Sequence, residues 1–429
     1  MLQTIKNAWK IPDLRKRILN TLLLLVIFRL GSVIPVPFIS ASSMQALTAS
    51  GGNEGSLINF LDTFSGGAFS NATIFAMSIT PYINASIIMQ LLTVAIPALE
   101  RLQKEGEEGR KVLGRYTRYL SVILGFIEAT GLYFALRGTV TSAGRGILGY
   151  IVITLTFTAG TAFLMWLGEQ INEKGIGNGI SIIIFAGIVS RGPSAIQVLY
   201  QTLVATDMGW LTVAIILVVA LAVVTLVVFM NEAERRIPVQ YAKRVVGRKM
   251  YGGQSTHIPI KLLGAGVIPI IFAMSIMQFP ATIAQFFGKN VSNTSGFGGW
   301  ILGLFSSDSV FYAVCYFLLI IAFSYFYIAI QFNPIEIANN MKKNGGFVPG
   351  LRPGKPTSDY IAKILSRITL AGAFFLGFIA VFPIVLSRWS PVNITIGGTS
   401  LLIVVGVALE TTKQMESHML MRHYKGFLE

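Results

Sequence analysis

Side chains that could make or break covalent bonds are scarce in this sequence, and those present are poorly placed for it. The three histidines, His257, His418 and His423, all fall outside the apolar runs. Neither an intramembrane Ser-His protease nor a histidine-ligated metal within the apolar runs is supported by that placement, and no H-E-x-x-H is found. The one cysteine, Cys315, sits inside an apolar run, so an intrachain disulfide and a cysteine metal cluster are both excluded. The nearest approach to a phosphate loop is Gly354-Lys355-Pro356-Thr357, which lacks the upstream glycine and has proline where a hydroxyl residue should follow lysine. No catalytic residue, metal site, cofactor or small-molecule substrate is expected, and the chain is not read as an enzyme. Work done by such a protein must be powered from outside.

The chemistry that remains is that of ionisable groups in lipid, of apolar closure and of basic loops. An ionisable residue deep in a bilayer costs at least about 2.5 to 3.5 kcal/mol on insertion scales. Asp62, Glu128, Glu410 and Arg29 are the candidates, each either functional or an interface residue that snorkels. Ile79 and Ile83, spaced i, i+4 around Pro81, could narrow a pore, and apolar runs recur at 182–184, 270–271 and 402–403. An apolar constriction can exclude ions by dewetting, although isoleucine in a span is usually only packed or lipid-facing. Arg235, Arg236, Lys243, Arg244, Arg248 and Lys249 lie among Tyr241 and Tyr251, and Pro349-Gly350 and Pro353-Gly354 should present Leu351 and Arg352 at a turn. These loops could meet RNA phosphates and bases, or an acidic protein surface. They could also serve topological retention and anionic lipid.

The elements that position these residues are membrane helices. The sequence is 53% hydrophobic and 12% charged, with a mean hydropathy of +0.66, too apolar for an ordinary soluble protein. A span needs about 20 apolar residues, and that window yields about ten candidates: 18–34, 72–96, 119–136, 147–167, 179–200, 210–230, 265–287, 309–331, 368–386 and 397–412. The first, despite its basic lead, is read as retained rather than cleaved. Of the 34 Lys and Arg residues, 28 fall on the side of the amino terminus and 5 on the other, with Arg29 inside a span. That bias predicts an even number of spans with both termini in the cytoplasm, and it accounts for most of the +15 net charge without nucleic acid. Five spans followed by five would insert in opposite senses, the arrangement of inverted repeats, although no residue-level repeat joins the halves.

One span is interrupted. From Leu57 to Pro97 the chain reads as a short helical turn (Leu57 to Phe64), a Ser65-Gly66-Gly67 hinge, and a longer helix carrying Pro81 and Asn84 in mid-membrane. Broken backbone at membrane depth is tolerated where it is buried in protein or lines a wet cavity. The segment therefore either faces a path through the protein or is a kinked span packed among neighbours. A secondary transporter and a scaffold without a conduit are the competing classes. The first lacks a compact buried ionisable site, and the second leaves the hinge and Pro81 without purpose.

Several long motifs resemble the SecY family, channel subunits of the bacterial Sec translocon: SITPYINASIIMQLLTV (78–94), GEQINEKGIGNGISIIIFAGI (168–188), RRIPVQYAKR (235–244), QSTHIPIK (254–261), GVIPIIFA (266–273), FVPGLRPG (347–354) and GGTSLLIVV (397–405). The resemblance implies an all-α integral membrane protein, a SecY-like clamshell of ten spans in two pseudo-symmetric five-helix halves, 1–205 and 206–429. It implies translocation of unfolded preproteins across the bacterial plasma membrane and lateral release of hydrophobic segments into lipid. It implies a pore ring of Ile79, Ile83, Ile184, Ile271 and Ile403, and a plug over about 57–70 including Leu57, Phe60, Leu61, Phe64, Ser65, Gly66 and Gly67. A lateral gate would involve Pro81, Ile87 and Phe279. Arg236, Lys243, Arg244 and Arg352, in the cytoplasmic loops 231–264 and 332–366, would engage the SecA ATPase or the ribosome. SecE and SecG are the implied companion subunits, and signal sequences the implied trigger.

Overall fold

The computed structural model describes residues 2–50, 62–205, 209–241, 244–246, 249–251, 255–286, 303–305, 309–389 and 398–425. Within them the first half of the chain forms α1 (Leu2–Lys10), α2 (Pro12–Gly31), α3 (Ala41–Ser50), α4 (Thr80–Ala95), α5 (Pro97–Lys104), α6 (Glu107–Ala135), α7 (Ile147–Lys174), α8 (Gly179–Ser190) and α9 (Gly192–Ala205). The second half forms α10 (Gly209–Glu232), strands β1 (Glu234–Tyr241), β2 (Arg244–Val246), β3 (Lys249–Tyr251) and β4 (Ser255–Lys261), α11 (Ile268–Phe286), α12 (Val310–Gln331), α13 (Pro334–Lys343), β5 (Gly346–Phe347), α14 (Lys355–Trp389) and α15 (Gly398–Lys425). Helix is found within each of the ten expected spans. Among the described residues three stretches, Ile147–Lys174, Val310–Lys343 and Lys355–Phe382, are long and apolar enough to cross a membrane.

Helix ends follow from local chemistry. Asn178 caps α8 by accepting from the Ile180 and Ser181 amides, and Asn333 does the same for Ile335 and Glu336 at α13. Pro97 stops α4 and starts α5, which turns away at 101°.

Two expectations about the spans are corrected. The helix expected from Ala72 begins only at Thr80, and residues 68–79 run as turns, with Ser78 at φ 53°. Pro81 therefore lies in the first turn of α4, where its missing N–H has no partner to lose, so it starts a helix instead of kinking one in mid-membrane. The span expected over 179–200 is two helices, α8 and α9, parted at Arg191 just before Gly192 and Pro193.

The halves meet along two lines. On one, α4 and α6 pack against α11, which is backed by α12; on the other, α8 packs against α15, and α9 leads into α10. A single large apolar cluster runs through both halves. The two long connections between helices, 231–264 and 332–366, pair with each other. β1 pairs antiparallel with β4 (Ile237 opposite Ile258) and with β5 (Gln240 opposite Phe347). A second cluster of Ile237, Val239, Ile260, Val348, Ile361 and Leu365 fills the space beneath.

Candidate conduit, plug seat and docking surface

The five isoleucines come from four helices, two in each half. Ile79 caps α4 and Ile83 lies in its first turn, with the Ile83 amide donating to the Ile79 carbonyl at 3.1 Å. Ile184 is on α8, Ile271 on α11 and Ile403 on α15. Their exposures are 0%, 6%, 1%, 8% and 1%, and all five belong to the one cluster that bridges the halves. Phe64, in a short helical segment over 62–65, and Ala68 and Phe69, in the turns that follow it before α4, belong to it as well.

That turn region is seated by polar contacts at defined atoms. Asp62, buried at its side chain to 6% exposure, pairs with Arg191 at 2.9 Å, and its other oxygen accepts the Ser70 amide at 2.9 Å. Ser65 Oγ donates to the Asp62 carbonyl and accepts from the Phe69 amide. Ser78 Oγ donates to the Phe64 carbonyl at 3.1 Å, tying the start of α4 to the segment before the hinge. Gly66, at φ 66°, lies directly on α8: a Cβ there would stand 2.6 Å from Ser190 Oγ and 2.8 Å from the Gly187 carbonyl oxygen. The Gly66 carbonyl accepts from Arg29 at 3.3 Å and from Ser190 Oγ at 3.4 Å. Phe64, Ser65, Gly66 and Gly67 are thus in the seated segment, whereas Leu57, Phe60 and Leu61 lie outside the described residues.

The ionisable candidates resolve differently from one another. Asp62 and Arg29 both serve the seat. The partner that sequence reasoning missed is Arg191, counted there only as an outer basic residue; its place just before Gly192-Pro193 offered a helix break but no hint of Asp62. Glu128, on α6, accepts from Asn84 Nδ2 on α4 at 2.7 Å. Thr80 Oγ1, Asn84 Oδ1, Ser275 Oγ and Tyr316 OH are buried without hydrogen-bond partners among the described residues, and all four lie on α4, α11 or α12, the helices of one seam. On that seam Pro81 and Ile87 are buried, and Phe279 is 42% exposed beside Pro280.

On the body built around β1, β4 and β5, Arg236 is exposed on β1 and pairs with Glu234 at 2.7 Å. Arg352 is exposed in the turn after β5, where its carbonyl accepts from Thr357 Oγ1 at 2.8 Å. Gly350 and Gly354 take φ of 82° and 107°, the left-handed backbone those turns require. Leu351, expected at the tip with Arg352, instead packs partly buried on the second cluster. Arg244 opens β2 opposite Tyr251, and Lys243 lies outside the described residues.

A SecY family model matches residues 73–412. The protein translocase subunit SecY of Halalkalibacterium halodurans is 46% identical, with 100% of each chain covered. That of Bacillus subtilis is likewise 46% identical over 100% of both chains. That of Thermotoga maritima is 45% identical, covering 100% of this chain and 98% of its own. Among solved structures, one described as a protein conducting channel superposes with a TM-score of 0.66 at 20% identity, over 94% of this chain and 92% of its own. Sec61 in the canine ribosome-channel complex from the endoplasmic reticulum superposes at 0.62 and 19% identity, with 94% and 92% covered. The structural likeness at that identity establishes the fold, and the sequence likeness runs from end to end at more than twice the identity; the chain belongs to the SecY family.

Proposed function

We propose that the chain is the conducting subunit of a protein translocase, passing unfolded polypeptides outward through a closable axis between its halves and releasing hydrophobic segments sideways into lipid. The observation that carries this reading is that Ile79, Ile83, Ile184, Ile271 and Ile403, from four helices of both halves, are all buried in the apolar cluster that runs through both halves and also holds Phe64 and Phe69. SecY family members are channel subunits and not enzymes. The chain is a multi-pass membrane protein, and its bacterial relatives point to the plasma membrane, with both termini cytoplasmic by the basic bias.

The halves are 1–205 and 206–429, and the plug covers about 57–70. At rest the isoleucines form a dry collar that ions cannot cross without losing their hydration, and the segment around Gly66 caps it. The seam of α4 and α6 against α11 and α12 is the lateral gate, with Pro81, Ile87 and Phe279 along it. Orphaned hydroxyls and an amide oxygen in that seam cost about 1–3 kcal/mol each when buried unpaired. Opening to water or a peptide would relieve them, so the closed seam is not deeply trapped. A signal sequence that buried about 200 Å² of apolar surface there, at about 25 cal/mol per Å², would contribute about 5 kcal/mol. That approaches the 5.5 kcal/mol or so that takes a two-state equilibrium from 1:99 to 99:1.

SecA or a ribosome would dock on the cytoplasmic body through Arg236, Lys243, Arg244 and Arg352, with ribosomal RNA phosphates as one contact. SecE and SecG would complete the complex from the lipid side. The test is site-specific crosslinking to a stalled secretory precursor, in a Cys315→Ser background, from Ile271→Cys and Ile403→Cys. Linkage from both supports the conduit. Linkage only from the lipid-facing Phe374→Cys, with none from the two isoleucine sites, overturns it.

A further inference from the structure

The first helix does not lie free at the membrane surface. It packs on α2, which follows it, and also on α15, which belongs to the other half. Between them is a small apolar cluster, separate from the main one, of Ala8, Leu14, Ile176 and Met415, flanked by Ile11, Ile18 and Met419. Ala8 is fully buried there, although its neighbours Lys6, Asn7, Trp9 and Lys10 on the short α1 are exposed.

Ile176 is anchored to the first half by its neighbours. Arg17 Nη1 donates to the Gly175 carbonyl at 3.2 Å, Asn20 Nδ2 to the Lys174 carbonyl at 3.4 Å, and the Ile176 amide to Thr21 Oγ1 at 3.1 Å. Met415 and Met419 are on α15. The cluster is therefore a joint between halves, with the first half supplying Ala8, Leu14 and Ile176, and the second supplying the methionines.

Its position matters because of what the two joined elements carry. The anchored 174–178 segment leads directly into α8, which bears Ile184, and α15 bears Ile403 three turns before Met415. A Cβ at Gly177 would stand 3.1 Å from Thr411 Oγ1, so the two elements also touch between the cluster and the collar. Two of the collar residues are thus held at a set separation by a fastening on the cytoplasmic side. Methionine is suited to a fastening that opens, since its unbranched, polarisable chain repacks without one fixed partner.

We propose that α1 is a strap that clasps α15 at the cytoplasmic mouth in the resting protein, and that the clasp must release before α8 and α15 move apart to admit a polypeptide. This rests on the conducting function proposed above, and the precursor crosslink from Ile271→Cys tests that function with the clasp intact.

The experiment uses the full chain in its native membrane complex, with Cys315→Ser as background and Ala8→Cys with Met415→Cys bridged by a short, reducible bismaleimide. The resting protein should crosslink, the bridged protein should lose precursor translocation, and reduction of the linker should restore it. Each single-cysteine variant treated alike should translocate normally. A second variant, Ala8→Asp, places a charge in the joint without bridging it and should raise resting ion conductance. Absence of bridging when both cysteines react singly with maleimide would overturn the proposal. So would normal translocation by the bridged protein, or an unchanged conductance in Ala8→Asp protein that still forms the complex.

Discussion

Seating of the turn region on α8 can be dissected with three single methyl groups. Gly66 combines two constraints: φ of 66°, and a Cβ position 2.6 Å from Ser190 Oγ, 2.8 Å from the Gly187 oxygen and 2.9 Å from Gly187 Cα. Two of those three atoms are backbone and cannot swing aside. Gly67 has the backbone constraint alone, at φ 86° with its nearest neighbour 4.0 Å away. Gly187 has the steric constraint without positive φ, its Cβ position lying 2.7 Å from the Phe64 carbonyl oxygen. A left-handed non-glycine residue costs about 1–2 kcal/mol. Gly67→Ala should therefore shift the seated-to-released ratio by about 5- to 30-fold, at 1.4 kcal/mol per factor of ten. Gly187→Ala adds overlap that only movement of the seat relieves, and overpacking of this kind costs about 1–3 kcal/mol. Gly66→Ala carries both and should exceed either. The assay is resting ion conductance of the purified complex in planar bilayers, with export of precursors carrying weakened signals as the cellular counterpart. The order Gly66→Ala above Gly187→Ala and Gly67→Ala is expected in both. If Gly66→Ala conducts no more than Gly67→Ala, the close approach to α8 does not hold the seat and the reasoning fails.

The Asp62–Arg191 pair should be asymmetric. Arg191→Gln leaves a buried carboxylate uncompensated, and because Arg191 is itself about a third exposed the cost should sit near the lower end of the 3–5 kcal/mol or so for a broken buried pair. Asp62→Asn leaves a partly exposed guanidinium that still reaches water and Thr63 Oγ1, and should cost less, about 1 kcal/mol; equal conductance increases in the two variants would contradict this. Ile403→Asn buries an amide without partners, at about 1–3 kcal/mol, and should admit precursors with poorer signals; unchanged discrimination would remove Ile403 from the collar. Arg352→Glu, at an exposed turn, should leave stability within about 0.5 kcal/mol while lowering translocation-stimulated ATPase activity of the motor; an unchanged ATPase would place docking elsewhere.

How far the sequence was readable depended on how local each feature is. Asn178 and Asn333 cap helices in their own segments, and the glycines after Pro349 and Pro353 take the left-handed turns their spacing demands. Pro81 shows the limit. A proline inside an apolar run reads as a kink, but whether it begins a helix or bends one depends on whether the preceding residues are helical. Here 68–79 are held in turns by bonds such as Ser78 to Phe64. Nothing in the sequence of the two long loops signals their pairing, because β5 reaches β1 only after about a hundred intervening residues. The clasp between Ala8 and Met415 carries no local signature at all.

By itself the sequence determined the kind of protein and the approximate stretches that its membrane helices occupy, and its basic bias carries the proposed orientation. Hydropathy and basic bias are sums over neighbouring residues, so they survive without knowledge of what packs where. Only the tertiary structure decided that Asp62 faces Arg191, that Gly66 rests on Gly187, and that α4 and α6 close against α11. Those are properties of pairs far apart in the chain, where a contact of a few ångströms depends on the placement of every helix between.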